Sequence, residues 1–295
     1  WGRCSRPRAW CPFRITTPGD MRFLLMVRMA TTTTSPRRRL PKSLIPISWV
    51  RIASYLSTAG GSSTSRGRRF STRTRPNIPW RFLGLEPSDI EKRSGTFPNE
   101  VSTWIEDAVN GHIIKQLGNI GMNGVGLLFD GGPGIGKTTH AVVAAMEFIR
   151  QLPDDDVEAA KVLGMSNSDF GLQAHPVYYM TYPEFLSRKK STFDASPEDR
   201  REMNYELDGL HGRSNFDWLN VRILIIDDLG KEYGSKYDDT SFDEILRIRY
   251  DKGLPTIVTT NVLLEQWSDK YGEAMGSFAN EAFIKVNMIG DDKRL

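Results

Sequence analysis

Eight residues, Gly131-Gly132-Pro133-Gly134-Ile135-Gly136-Lys137-Thr138, constrain this chain more than any other stretch. They fit G-x-x-x-x-G-K-[ST]. A backbone that turns its N–H groups inward around an anion needs positive φ and no side chain in the way, and glycine supplies both. The apolar run Val125 to Asp130 before the octet reads as a buried strand. After it, Ala141, Val142, Ala145, Met146, Phe148 and Ile149 recur at helical spacing, so a helix N-terminus directs its dipole at the same anion. Strand, loop and helix in this order predict a nucleotide phosphate site with ATP and Mg2+ as ligands. Gly131 through Gly136 and Thr139 surround the phosphates, Lys137 sets a point charge against the terminal ones, and Thr138 offers an oxygen to Mg2+. His140 reads as a helix-surface residue.

Two further segments fit an α/β sheet built around that loop. Val221 to Asp228 is a β-branched run ending in two carboxylates, as expected of a central parallel strand buried on both faces. Ligands gather at the carboxyl edge of such strands. Asp227 is therefore expected to hold Mg2+, directly or through water, and Asp228 to orient and polarise an attacking water. Thr256 to Thr260 reads as another strand, leading to Asn261, which is placed to hydrogen-bond a γ-phosphate or that water. Val177 to Thr181 supplies a further strand. Ahead of the loop, Ser88 with Glu91 reads as a capping box, and Val101 to Ile114 as a helix: a small helical lead-in.

The helix expected to start near Thr240 poses a separate question. Phe242, Leu246 and Arg249 share one face, while Asp243 and Arg247 form an i, i+4 pair on another. An unpaired guanidinium beside an apolar stripe is costly. Arg249 is thus expected to meet a carboxylate, a phosphate or a neighbouring subunit, with a catalytic role and internal pairing both open. Gly253 and Pro255 end the helix.

Charge is distributed unevenly. Residues 1–80 hold 16 Lys or Arg and one acid, Asp20, which leaves 23 of the 39 bases and 35 of the 36 acids in 81–295. Residues 1–76, rich in Arg, Ser, Thr and Pro, carry too little apolar surface for a core and read as a disordered basic tail. Three readings of it stay open: an arm that contacts nucleic acid through phosphate, an organelle transit segment, or translated sequence upstream of the working start, since the chain begins with Trp1. The folded domain is expected over 77–295. Both cysteines, Cys4 and Cys11, lie in the tail, so the domain needs no disulfide and suits a reducing compartment. No apolar run reaches the roughly 18 residues of a membrane span, and no membrane partner is expected.

The stretches Gly124 to Thr139, Ile223 to Gly230 (ILIIDDLG), Arg249-Tyr250 with Leu254 to Asn261 (RY…LPTIVTTN) and Gly290 to Arg294 resemble the DnaC/IstB-like AAA+ ATPases. The lead segment Ile78 to Phe82 is also similar, and the resemblance spans about 78–295. It implies a P-loop NTPase (AAA+/ASCE) three-layer α/β sandwich, with the Asn261 strand between the phosphate-loop strand and the acidic strand. It also implies Mg-dependent ATP hydrolysis and, for Arg294, a nucleotide-touching sensor role. Replicative-helicase loaders in this family act on single-stranded DNA and assemble with themselves; transposition helpers are the alternative. The texture is similar to loaders of actinobacterial phages, which implies the cytoplasm, that of the host if phage-encoded. One departure stands out: at Gly276-Ser277-Phe278, where relatives often carry an Arg that reaches a neighbour's ATP, this chain has none. Either Arg249 or Arg247 substitutes, or the protein is a binding switch with negligible hydrolysis.

The long insert from Glu184 to Asn220 leaves a choice. Lys189, Lys190, Arg200, Arg201 and Arg213, interleaved with Phe185, Phe193 and Tyr205, suit single-stranded DNA through charge and stacking. The simpler reading is a solvated mixed-charge surface. Ser196-Pro197-Glu198 marks a helix start within it.

Overall fold

A computed structural model describes residues 85, 87–114, 123–166, 176–215, 217–230 and 235–292. They belong to one compact unit. The basic tail, the lead segment at 78–82 and Arg294 lie outside the described residues.

The lead-in consists of helices α1 (Pro87–Ser94) and α2 (Asn99–Val109). Since α1 begins at Pro87, Ser88 falls inside the first turn and not ahead of it. Likewise α2 ends at Val109 with its C-cap at Asn110, short of the Ile114 limit that apolar spacing suggested. Val101, Trp104, Ile105 and Ala108 form its buried stripe. The Trp104 indole N–H donates to the Val125 carbonyl at 2.9 Å, tying this helix to the start of β1 (Gly126–Gly131).

In the remaining elements one or two helices follow each strand up to the last. These elements are α3 (Lys137–Gln151), α4 (Asp156–Val162), β2 (Val177–Thr181), α5 (Tyr182–Ser191) and α6 (Pro197–His211), followed by β3 (Ile223–Leu229) and α7 (Lys236–Asp251). The chain closes through β4 (Thr256–Thr260), α8 (Trp267–Tyr271), α9 (Glu273–Ala282) and β5 (Phe283–Met288). Local signals explain several boundaries. The Ser196 hydroxyl caps α6 with Pro197 in its first turn. Ser235 caps α7, which therefore starts four residues before Thr240. Gly253, at φ 68°, and the bond from Leu254 N–H to the Arg249 carbonyl close its far end.

All five strands are parallel, in the order β2-β3-β4-β1-β5. The Asn261 strand, β4, thus separates the phosphate-loop strand from the acidic strand. Helices cover both faces, as the period-2 alternation demands. Leu127, Phe129, Ile223, Ile225 and Ile257 pack on one face with α1 to α4, where Ala141 through Ile149 are all buried. Leu128, Leu224, Ile226 and Val258, equally buried, point to the opposite face. An aromatic cluster accompanies that second layer: Tyr182 meets Phe242 at 5.4 Å and Phe242 meets Trp267 at 5.7 Å between ring centroids. Each such side chain removed from water contributes about 1.5–3 kcal/mol. The architecture is a three-layer α/β sandwich with a central parallel sheet and a small helical lead-in.

Candidate phosphate and metal site

Parallel pairing of β1 with β4 aligns Asp130 with Thr260, so the loop after β1 and Asn261 after β4 emerge at the same edge. The loop itself takes the conformation its glycines allow. Gly131, Gly134 and Gly136 have φ of 139°, 72° and 98°, and Gly136 is the N-cap of α3. Lys137 folds back over the loop. Its ammonium donates to the carbonyls of Gly131 (2.9 Å) and Gly132 (2.6 Å) and to Asn261 Oδ1 (2.7 Å). One cation therefore links the phosphate loop to the end of β4.

Asp227, only 3% exposed, collects hydroxyl donors from three elements. Thr138 Oγ1 lies 2.9 and 3.1 Å from its two oxygens, the Tyr179 phenol donates to Oδ2 at 2.7 Å, and Thr259 Oγ1 donates to Oδ1. Burial pushes the Tyr179 phenol upward, and the carboxylates of Asp227 and Asp228 add to that shift, so it remains a donor throughout the working pH range. The two metal-ligating candidates, Thr138 and Asp227, are thus in direct contact. Among the described residues no cluster of three or more His, Cys, Asp or Glu side chains could hold a metal ion. The donor set fits Mg2+, which keeps several waters and takes one or two protein oxygens alongside substrate phosphates.

Asp228 departs from the regular strand. Its φ of 61° is the one positive value at a non-glycine residue among those described. The β3–β4 register shifts between Ile226 and Leu229, and the Asp228 N–H donates to Thr259 Oγ1 at 3.1 Å. Asp tolerates this left-handed backbone better than most residues, and the irregularity aims its side chain differently from that of Asp227. The strand continues to Leu229, so the acids lie within it and not beyond its end.

Arg249 is fully buried and paired internally, one of the two outcomes that its place on the apolar stripe of α7 left open. Its guanidinium donates to the carbonyls of Leu210 (2.7 Å), Val221 (3.1 Å), Arg222 (3.1 Å) and Pro255 (3.0 Å) and to Thr256 Oγ1 (3.0 Å). Pro255 and Thr256 lie at the amino end of β4, the sheet edge opposite the phosphate loop. Arg249 is a structural clamp satisfied by backbone acceptors. Arg247 pairs with Asp243 at 2.7 Å and lies over the Phe278 ring, 4.4 Å from its centroid.

His140, expected on the helix surface, is only partly exposed. Its Nδ1 lies 2.9 Å from the Gly136 carbonyl, and its ring sits near Phe97 and Phe129, at 6.0 and 6.4 Å. With Arg93, Thr96, Phe97, Thr139 and Val143 it lines a cleft of about 140 Å3 beside the phosphate loop. Sequence reading missed this cleft because half of its lining comes from the lead-in. Tyr179 escaped for the same reason, since it reaches Asp227 only through β2–β3 pairing.

In the insert, most candidate DNA-contacting cations have internal partners. Lys189 and Arg213 both pair with Glu244, and Lys190 pairs with Asp238 at 2.8 Å. Arg200 donates to the carbonyls of Thr192, Phe193 and Ala195. Phe185 belongs to the core, whereas Phe193 and Tyr205 are exposed.

No protein-family model matches the sequence, and no curated protein matches it. Solved structures similar in fold include the DnaI protein, at 18% identity and a TM-score of 0.41, covering 66% of this chain and 81% of that one. The DnaC helicase loader is similar at 18% identity and 0.40, covering 81% and 99%. DnaA from Aquifex aeolicus bound to AMPPCP is similar at 17% and 0.38, covering 65% and 46%. Strand order and loop geometry, not these likenesses, carry the fold assignment. Among the described residues no helix is long and apolar enough to cross a membrane.

Proposed function

We propose that this chain binds and hydrolyses ATP with Mg2+ and works as a replicative-helicase loader on single-stranded DNA. One observation carries the nucleotide reading: three segments far apart in sequence meet at one sheet edge, with Lys137 bonded to Asn261 and Thr138 bonded to Asp227. In this reading the N–H groups of residues 131–136 and the first turn of α3 hold the phosphates. Lys137 exchanges its loop carbonyls for the terminal phosphates and stays within reach of Asn261. Thr138 and Asp227 hold Mg2+, which supplies charge neutralisation to the phosphate oxygens. Asp228, set off the strand ladder, accepts the proton of the attacking water. Base and ribose lie in the cleft lined by Phe97, Thr139 and His140.

Calorimetry tests the binding step. Lys137→Ala should lower ATP affinity about 100-fold, because it removes a charged donor worth roughly 1.5–3 kcal/mol per hydrogen bond. Unchanged affinity would rule out the phosphate role of the loop. Tripolyphosphate in the same cell should bind more weakly than ATP if the cleft holds the base, and equal affinities would remove the cleft from that role.

The loader assignment rests on the resemblance of Gly124 to Thr139, Ile223 to Gly230 and Leu254 to Asn261 to the DnaC/IstB-like ATPases. Retention of a replicative helicase on the immobilised ATP-bound chain supports it, and retention of a transposase instead favours the transposition helper. Self-assembly is part of the same proposal. Arg247, half-exposed on α7 and stacked on Phe278 of α9, is the arginine assigned in this reading to a neighbouring copy.

A further inference from the structure

The strand that bears Tyr179 forms an edge of the sheet, and nothing in the phosphate-binding pattern calls for a phenol there. Yet this hydroxyl and that of Thr259 grip opposite oxygens of Asp227, Oδ2 and Oδ1, while Thr138 reaches both. A buried carboxylate with free rotation about its last bond presents a metal with a changing face. Two fixed donors from the flanking strands β2 and β4 remove that freedom. When Thr138 turns a lone pair to a cation its O–H can still reach only one Asp227 oxygen at a time, and the two flanking hydroxyls keep the carboxylate satisfied and in place.

We propose that Tyr179 is a positioning residue for the metal site: with Thr259 it locks the Asp227 carboxylate so that Asp227 and Thr138 form a preorganised pair of oxygen ligands for Mg2+. This rests on the nucleotide reading of the same site. In this assignment each hydroxyl acts through Asp227 and is not itself a metal ligand. Thr259 has a second task, accepting from the Asp228 N–H, so the pair of threonine and tyrosine couples both carboxylates to the central sheet.

Metal affinity, read without turnover, tests the assignment. Mn2+ binding to the full chain with ADP is followed by the loss of the free Mn2+ paramagnetic resonance signal. Tyr179→Phe keeps the ring and removes only the hydroxyl; it should raise the Mn2+ midpoint about 10-fold while ADP affinity in chelator stays within about two-fold. Thr259→Val should raise the midpoint similarly, and Thr259→Ser should restore it. Midpoints within about two-fold of the parent in both Tyr179→Phe and Thr259→Val overturn the positioning role and leave the nucleotide reading standing. A parent chain that takes up no Mn2+ with ADP overturns both.

Discussion

Asp228→Asn is expected to bind ATP within about two-fold of the parent while its turnover falls roughly 10^3-fold, in the middle of the range for loss of a general base. The substitution is unusually clean here. At φ 61° the backbone excludes most side chains, but Asn populates that region as readily as Asp, so the bulge between Ile226 and Leu229 should persist. The Asp228 N–H keeps its bond to Thr259, and Asp227 keeps its own three hydroxyl donors. Only the proton-accepting oxygen is lost. The check is steady-state phosphate release with and without single-stranded DNA, beside calorimetric ATP binding. Undiminished turnover would remove Asp228 from the chemistry and leave its backbone strain unexplained by catalysis.

Replacing Arg249 with Met should destabilise the protein by about 3–5 kcal/mol, since each neutral acceptor left buried and unsatisfied costs about 1–3 kcal/mol. Swapping both members of a buried polar pair for apolar groups is often harmless. That escape is closed here, because the partners are four main-chain carbonyls and the Thr256 hydroxyl, which remain buried after the guanidinium is gone. At roughly 2–4 °C per kcal/mol for a domain of this size, the thermal midpoint should drop by about 10 °C or more. Below the transition, ATP binding and turnover per folded molecule should match the parent. A variant of normal stability that has lost turnover would restore the catalytic reading of Arg249.

The contrast between these two residues shows how far a linear reading reaches. Asp228 was legible as a candidate because it follows a β-branched run, at the strand edge where α/β sheets gather ligands. Arg249 was legible as a problem and not as an answer. Its place on an apolar stripe of α7 required a partner, but the partners are carbonyls from the end of α6, the approach to β3 and the lead into β4. Backbone acceptors leave no trace in side-chain spacing, so a catalytic partner could not be told from a structural one.

The glycine-rich octet, the strand before it and the helix after it follow from the sequence alone, because φ preferences and apolar periodicity act within a few residues of chain. The paired acids and Asn261 follow from the same local rules, each at the end of a β-branched run. Tertiary structure alone decided what meets across the sheet: the edge places of β2 and β5, the bond from Lys137 to Asn261, the Tyr179 and Thr259 hydroxyls on Asp227, the cleft shared by Phe97 and His140, and the interior clamp at Arg249. The physical reason is that strand pairing and helix docking are settled by which buried surfaces fit together over the whole domain, and no local window of sequence contains that information.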